Sequence, residues 1–276
     1  NVNVLPTTAQ DIHVKSQTTS LGGCAYNVSA MIDLFGVPYT LFSPVGKGMY
    51  GDFVRKELDA RGIISPVPTP DNENGCCYCF VEESGERTFI SYHGAEYLFE
   101  KEWFDVLNPD RFSYAYICGL EIEDKTGNVI VDFLEKSKIK PVFAPGPRID
   151  KIDKNLMERI FALHPIVHLN EDEVTRYTET ANIESASMVL FDMTGETVIV
   201  TTGEKGSCYY DGKDFVSVAA VKPERIVDTI GAGDGHCGAV LACLAKGLRL
   251  DEALAKANEA ASRIVSVKGA VLSSRQ

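Results

Sequence analysis

No apolar run in the 276-residue sequence approaches the roughly 20 residues that a membrane-crossing helix needs, and no signal peptide is visible at its start. Positive charge is scarce. The 27 Lys+Arg face 39 Asp+Glu, a net charge of −12. Such an acidic surface argues against nucleic acid or an anionic membrane as the main partner. It leaves room for a small anion held locally by backbone amides. A zinc pattern is missing too, since Cys76-Cys77-Tyr78-Cys79 has no second Cys or His pair at zinc spacing. The other cysteines (Cys24, Cys118, Cys208, Cys237 and Cys243) stand mostly in apolar strand or helix patterns, which fits free structural thiols in a reducing, cytoplasmic setting. There is no Walker A signature, internal repeat or low-complexity tract. At 45% hydrophobic, the chain suffices for one large α/β domain or two small ones.

Along the chain, Gly22-Gly23 opens a helical segment from Ala25 to Phe35 that Gly36 and Pro38 end. Tyr39 to Val45 reads as a strand and Asp52 to Ala60 as a helix. Cys76–Val81 and Arg87–Tyr92 flank Glu82-Glu83-Ser84-Gly85-Glu86 as a hairpin. From about residue 112 strands and helices alternate: strands near 114–118, 142–144, 166–169 and 197–201, and helices near 127–138, 154–163, 171–178 and 183–193. A hairpin over 206–218 and two helices, 234–247 and 251–267, complete the pattern. Such alternation implies a mostly parallel sheet with helices on both faces and a ligand site at the carboxyl ends of the strands. The extended polar segments 4–22 and 75–93 fall outside the alternation. They are predicted to pair into a small projecting lid, with Ser65-Pro66-Val67-Pro68-Thr69-Pro70 as a stiff connector. The lid's apolar edge suggests a homodimer built lid to lid.

The chemistry concentrates in Asp228-Thr229-Ile230-Gly231-Ala232-Gly233-Asp234, followed at once by a helical pattern. Small residues let the backbone approach a ligand, and a helix start offers unpaired N–H groups and a positive dipole end. A carboxylate inside such an anion site can cap the helix. It can also take a proton from a hydroxyl while the amides hold a phosphoryl group in transfer. The dipole is expected to make Asp234 a weaker base than usual.

Five motifs in order now resemble the ribokinase-like (PfkB-type) carbohydrate kinases: Gly22-Gly23 with Asn27, Val45-Gly46-Lys47-Gly48-Met49-Tyr50-Gly51, Asn170-Glu171-Asp172-Glu173, Thr201-Thr202-Gly203-Glu204-Lys205-Gly206, and the 228–234 run. The resemblance spans nearly the whole chain. It implies a single ribokinase-like three-layer α/β domain over 1–276 with a β lid. The implied activity is ATP-dependent phosphorylation of a primary hydroxyl on a sugar or sugar-like substrate, with Mg²⁺ and, in some members, K⁺. By position, Asp234 would be the base, and the amides of Gly231, Ala232, Gly233 and Asp234 the anion hole. Gly23, Asn27, His93 and Glu121 would contact substrate. Asn170, Thr202, Gly203, Gly206 and Asn258 would serve the nucleotide, Glu173 would serve Mg²⁺ through water, and Asp228 with the Ile230 carbonyl would match a monovalent-cation site. The family's first strand, with a substrate-binding Asp, and its final helix are not in this sequence. Lys47 stands where Asp is frequent and His236 where Phe is frequent; His236 is expected to pack behind the anion hole.

Two other readings stay open. Gly231, Gly233, Gly235 and Gly238 evoke a dinucleotide fingerprint, yet, counted from Gly231, His236 occupies its last glycine position, and the run comes late in the chain. A catalytically silent sugar- or nucleotide-binding protein would keep the fold without the reaction. Nucleosides and pseudouridine are alternative acceptors within the kinase reading.

Overall fold

A computed structural model describes residues 1–83 and 87–272. The anticipated turn residues Ser84, Gly85 and Glu86, and the end at Gln276, lie outside them. The chain divides into two compact units, Asn1–Leu21 with Phe42–Leu98, and Gly22–Leu41 with Phe99–Gln276. Helix α1 (Cys24–Leu34) belongs to the larger unit. The smaller unit holds α2 (Gly48–Asp59) and the antiparallel pair β1 (Cys76–Val81) and β2 (Arg87–Tyr92).

From β3 (Tyr114–Cys118) the larger unit alternates: α3 (Gly119–Glu123), α4 (Gly127–Lys136), β4 (Lys140–Ala144), α5 (Lys154–Ala162), β5 (Ile166–Asn170), α6 (Glu171–Thr178), α7 (Ile183–Thr194), β6 (Val198–Thr201), β7 (Gly206–Tyr210), β8 (Phe215–Ala219), α8 (Ala232–Ala245) and α9 (Leu250–Val265). The six strands lie in the order β3-β4-β5-β6-β7-β8. The first four are parallel, β7 pairs antiparallel with β6, and β8 pairs antiparallel with β7. Side chains alternate faces along each strand. Val142, Ile166 and Ile199 join Val28 and Met31 of α1, Val240 of α8, and Leu254 and Ile264 of α9 in one core. The alternate residues Phe143, Val167, Leu169, Val198 and Val200 are equally buried on the opposite face, where α6 and α7 pack on β5 and β6. The result is the expected three-layer, mostly parallel α/β sandwich. Among the described residues no helix is long and apolar enough to cross a membrane.

Glycine sets how closely α8 packs. A Cβ on Gly235 would sit 2.0 Å from Ile264 Cδ1, and one on Gly238 would meet the Val28 carbonyl at 2.7 Å and Met31 Cβ at 2.9 Å. These two glycines therefore serve helix packing, which removes the main support for a dinucleotide fingerprint. Gly238→Ala is expected to cost about 1–3 kcal/mol through overpacking against α1, read as a lower thermal midpoint.

Three expectations need correction. Residues 4–22 form no strand. A turn interrupts them, with Gln10 N–H donating to the Thr7 carbonyl at 3.1 Å and Ala9 at φ 66°, so no unbroken extended run exists to pair. It is Val2 and Asn3 that bond to the end of the hairpin, at Val81 and Glu83. Residues 39–45 also form no strand. Side chains take their carbonyls instead: Arg55 donates to Val45 and Gly46, and the Ser65 hydroxyl to Ser43. The acidic stretch after β3, to which the sequence pattern assigned no element, is helix α3.

Cys118, Cys208, Cys237 and Cys243 are buried free thiols, whereas Cys77 and Cys79 are exposed on β1. The turn before α2 is tight, since a Cβ on Gly51 would fall 1.9 Å from the Gly46 carbonyl oxygen. Lys47 points outward and pairs with exposed Asp71 at 2.6 Å.

Candidate active site

Asp234 stands in the first turn of α8, after Gly231 at φ 76°. A Cβ on Gly231 would also meet the Ala270 carbonyl at 2.5 Å, so this turn requires glycine twice over. Ala232 N–H donates to the Thr229 carbonyl at 3.3 Å. The amides of Gly231, Gly233 and Asp234 find no acceptor among the described residues, as expected for the first turn of a helix. A Cβ on Gly233 would meet nothing within 4 Å. The site thus presents free N–H groups beside open space.

Across 207 residues of sequence, Asn27 Nδ2 donates to Asp234 Oδ2 at 2.8 Å. Asn27 sits one turn into α1, whose N-cap is Gly23 at φ 96°. Burial raises the Asp234 carboxyl above its usual value, against the lowering by Asn27 and by the Cys24 thiol. Burial is the largest of these effects, and it makes Asp234 a stronger base than an exposed aspartate. The buried Cys118 thiol donates to Glu121. Hydrogen bonding to Cys24 and burial hold Cys118 protonated. Glu121 and Cys24 thus reach the same neighbourhood as Asp234, and nothing in the sequence pattern singled out Cys24 or Cys118 for it.

At the carboxyl end of β5, Asn170 and Glu173 form a reciprocal capping box. Asn170 Oδ1 accepts from Glu173 N–H at 2.8 Å, and Glu173 Oε2 accepts from Asn170 N–H at 3.0 Å. Burial raises the Glu173 carboxyl despite those bonds. No group of three acidic, His or Cys side chains able to hold a metal occurs among the described residues. The donor set fits Mg²⁺ only as an ion carried mainly by phosphates and water, with the other Glu173 oxygen left for a water-mediated contact. After β6, Thr202 closes a tight turn by donating to the Gly206 carbonyl through both its amide and its hydroxyl, at 2.8 and 3.0 Å. Gly203 and Gly206 hold φ 58° and 108°. Lys205 lies 3.9 Å from Glu171.

Asn258 is not presented to a ligand. It is 5% exposed, and its Nδ2 donates to the Val218 and Ala219 carbonyls, both at 3.1 Å. Its Oδ1 accepts from Ser207 Oγ at 3.0 Å. A direct nucleotide contact by Asn258 is therefore withdrawn, because its hydrogen-bonding groups tie α9 to β7 and β8. Asp228 Oδ1 and Oδ2 accept from the Ile230 and Gly269 amides at 3.0 and 3.1 Å, which shapes the loop ahead of Gly231. His93, in the smaller unit, stacks on Tyr97 with ring centroids 3.9 Å apart.

A parallel sheet with a glycine-rich helix start carrying a buried carboxylate defines a class. The profile of the pfkB family of carbohydrate kinases matches residues 2–276, and the chain belongs to that family of ATP-dependent kinases. Among its relatives, an uncharacterized sugar kinase, YegV, of Escherichia coli is 33% identical over 96% of this chain and 84% of its own length. The ribokinase of Arabidopsis thaliana is 26% identical over 97% of this chain and 73% of its own. Of the solved structures, ribokinase from Giardia lamblia superposes with a TM-score of 0.85 at 23% identity, covering 98% of this chain and 91% of that one.

Proposed function

We propose that this chain transfers the γ-phosphoryl group of ATP to a primary hydroxyl of a sugar or sugar-like substrate, a nucleoside being the alternative acceptor. The Asp234–Asn27 pair beneath the free amides of Gly231, Gly233 and Asp234 carries the reading. Asp234 takes the hydroxyl proton, the hydroxyl oxygen bonds to the γ-phosphorus, and the bond from phosphorus to the bridging oxygen breaks to leave ADP. The amides hold the charge on the transferring group, while Asn27 orients the base. Gly23, Glu121 and His93 are assigned to substrate, and the turn Thr202, Gly203 and Gly206 to the nucleotide. Relatives named as ribokinases and nucleoside kinases support both acceptor classes. Mg²⁺ would neutralise phosphate charge near Glu173. Asp228 and the Ile230 carbonyl remain the proposed K⁺ position. The setting is proposed to be cytoplasmic.

An ADP-release screen across sugars and nucleosides tests the activity. Ligand-induced stabilisation without ADP release would favour a binding protein instead. Glu173→Gln preserves the capping box while removing the charge. It is expected to raise the Mg²⁺ concentration needed for half-maximal rate severalfold with an unchanged thermal midpoint; an unchanged Mg²⁺ dependence would remove Glu173 from the metal side. On the exposed hairpin, Tyr78, Phe89, Ile90 and Tyr92 are each about half exposed or more, which supports the proposed homodimer. Sedimentation should give twice the chain mass, and Phe89→Glu with Ile90→Glu should return it to the monomer.

A further inference from the structure

The core between sheet and helices holds one polar track that the proposed reaction leaves unused. His168, on β5 two residues before Asn170, and His236, on α8 two residues after Asp234, are 6% and 2% exposed. His168 Nε2 lies 2.9 Å from His236 Nδ1. The other nitrogen of His236, Nε2, is buried and makes no hydrogen bond among the described residues. Burying neutral imidazoles in an apolar core costs free energy unless their bonds are made, so the track calls for a role that packing alone does not supply.

In the His168–His236 bond one ring donates its N–H and the other accepts through its bare nitrogen. Such a bond is made only at one rotation of α8 relative to β5, because its length and its angle must both be met. Asn258 is committed elsewhere, its Nδ2 donating to the Val218 and Ala219 carbonyls and its Oδ1 accepting from Ser207 Oγ.

We propose that the His168–His236 hydrogen bond fixes the rotation of α8 on the sheet, and so aims Asp234 and the amides beside it. These are positioning residues, since neither touches the reacting groups. The inference rests on the kinase reading for its effect on rate, while the bond itself stands on geometry. Gly235 and Gly238 permit α8 to approach its neighbours, but glycine supplies no side-chain shape to hold a rotation. The bond adds a directional link, beyond their shared apolar core, between the helix carrying Asp234 and the strand carrying Asn170.

The test uses the full chain. In ¹⁵N-edited spectra at neutral pH, both rings should be neutral, with an N–H···N bond between His168 Nε2 and His236 Nδ1. His168→Gln keeps a hydrogen-bonding amide at similar reach, whereas His168→Leu and His236→Phe remove the bond without emptying the core. On whichever sugar or nucleoside releases most ADP, His168→Leu and His236→Phe should lower kcat by about tenfold or more with KM nearly unchanged, and should shift the amide signals of Gly233–Gly235. His168→Gln should retain kcat. A charged ring, or no N–H···N bond between the two, overturns the pairing. Wild-type kcat in His168→Leu, or equal losses in His168→Leu and His168→Gln, overturns the positioning role. Absence of phosphoryl transfer by the wild type with every acceptor would instead sink the kinase reading, and the ¹⁵N measurement would still decide the pairing.

Discussion

Asp234→Asn is expected to lower kcat by about 10²–10⁴-fold, the usual contribution of a positioned general base, while ADP binding stays within about twofold. The substitution is sharp because Asn keeps size and shape, and its carbonyl oxygen can still accept from Asn27. What disappears is the capacity to take the hydroxyl proton. Burial raises the Asp234 carboxyl, so the native group holds a proton more readily than an exposed aspartate. Two measurements separate catalysis from folding. Calorimetric titration with ADP and Mg²⁺ reports the nucleotide site, and the thermal midpoint reports the fold. Turnover within a few-fold of wild type would remove Asp234 as the base, whatever the fate of the family assignment.

Acid should destabilise the protein over an unusually high pH range. Burial lowers His168 from 6.5 to about 4 and His236 from 6.5 to about 3. Each ring is therefore neutral when folded and takes a proton more readily when unfolded. Its contribution is whole above the unfolded value of 6.5 and is lost as pH falls from there toward the folded values. For His168 alone the change amounts to about 3 kcal/mol. Asp234 and Glu173 act in the opposite direction, because their raised carboxyls bind protons more readily folded than unfolded. The informative comparison is thus between wild type and His168→Gln. Urea midpoints at pH 7.5, 5.5 and 4.5 should fall steeply for the first and less steeply for the second. Parallel curves would mean that the pair is not neutral in the folded protein.

Much of the larger unit can be read from the chain because its signals are local. The strand Tyr114–Cys118 and the helix Glu171–Thr178 coincide with their expected limits, since apolar runs, caps and glycine stops act within a few residues. Residues 4–22 misled because extended polar composition says nothing about the turn at Thr7–Gln10 that breaks the run. Asn258 misled because position in a motif does not reveal that its amide is engaged by the Val218 and Ala219 carbonyls. His168 went unnoticed, although it is the one polar residue between Ile166 and Leu169 and that is the signal which could have found it.

By itself, then, the sequence determined most of the strand and helix order of the larger unit, the family and the glycine-rich helix start with its carboxylate, because each is written in residues close along the chain. Only the tertiary structure decided what surrounds that carboxylate. Asn27 arrives from 207 residues away, and burial, a property of the packed chain, raises the proton affinity of Asp234. The pairing of His168 with His236 across 68 residues likewise has no local signature. Hydrogen bonds and desolvation between distant segments exist only once the sheet and helices have packed.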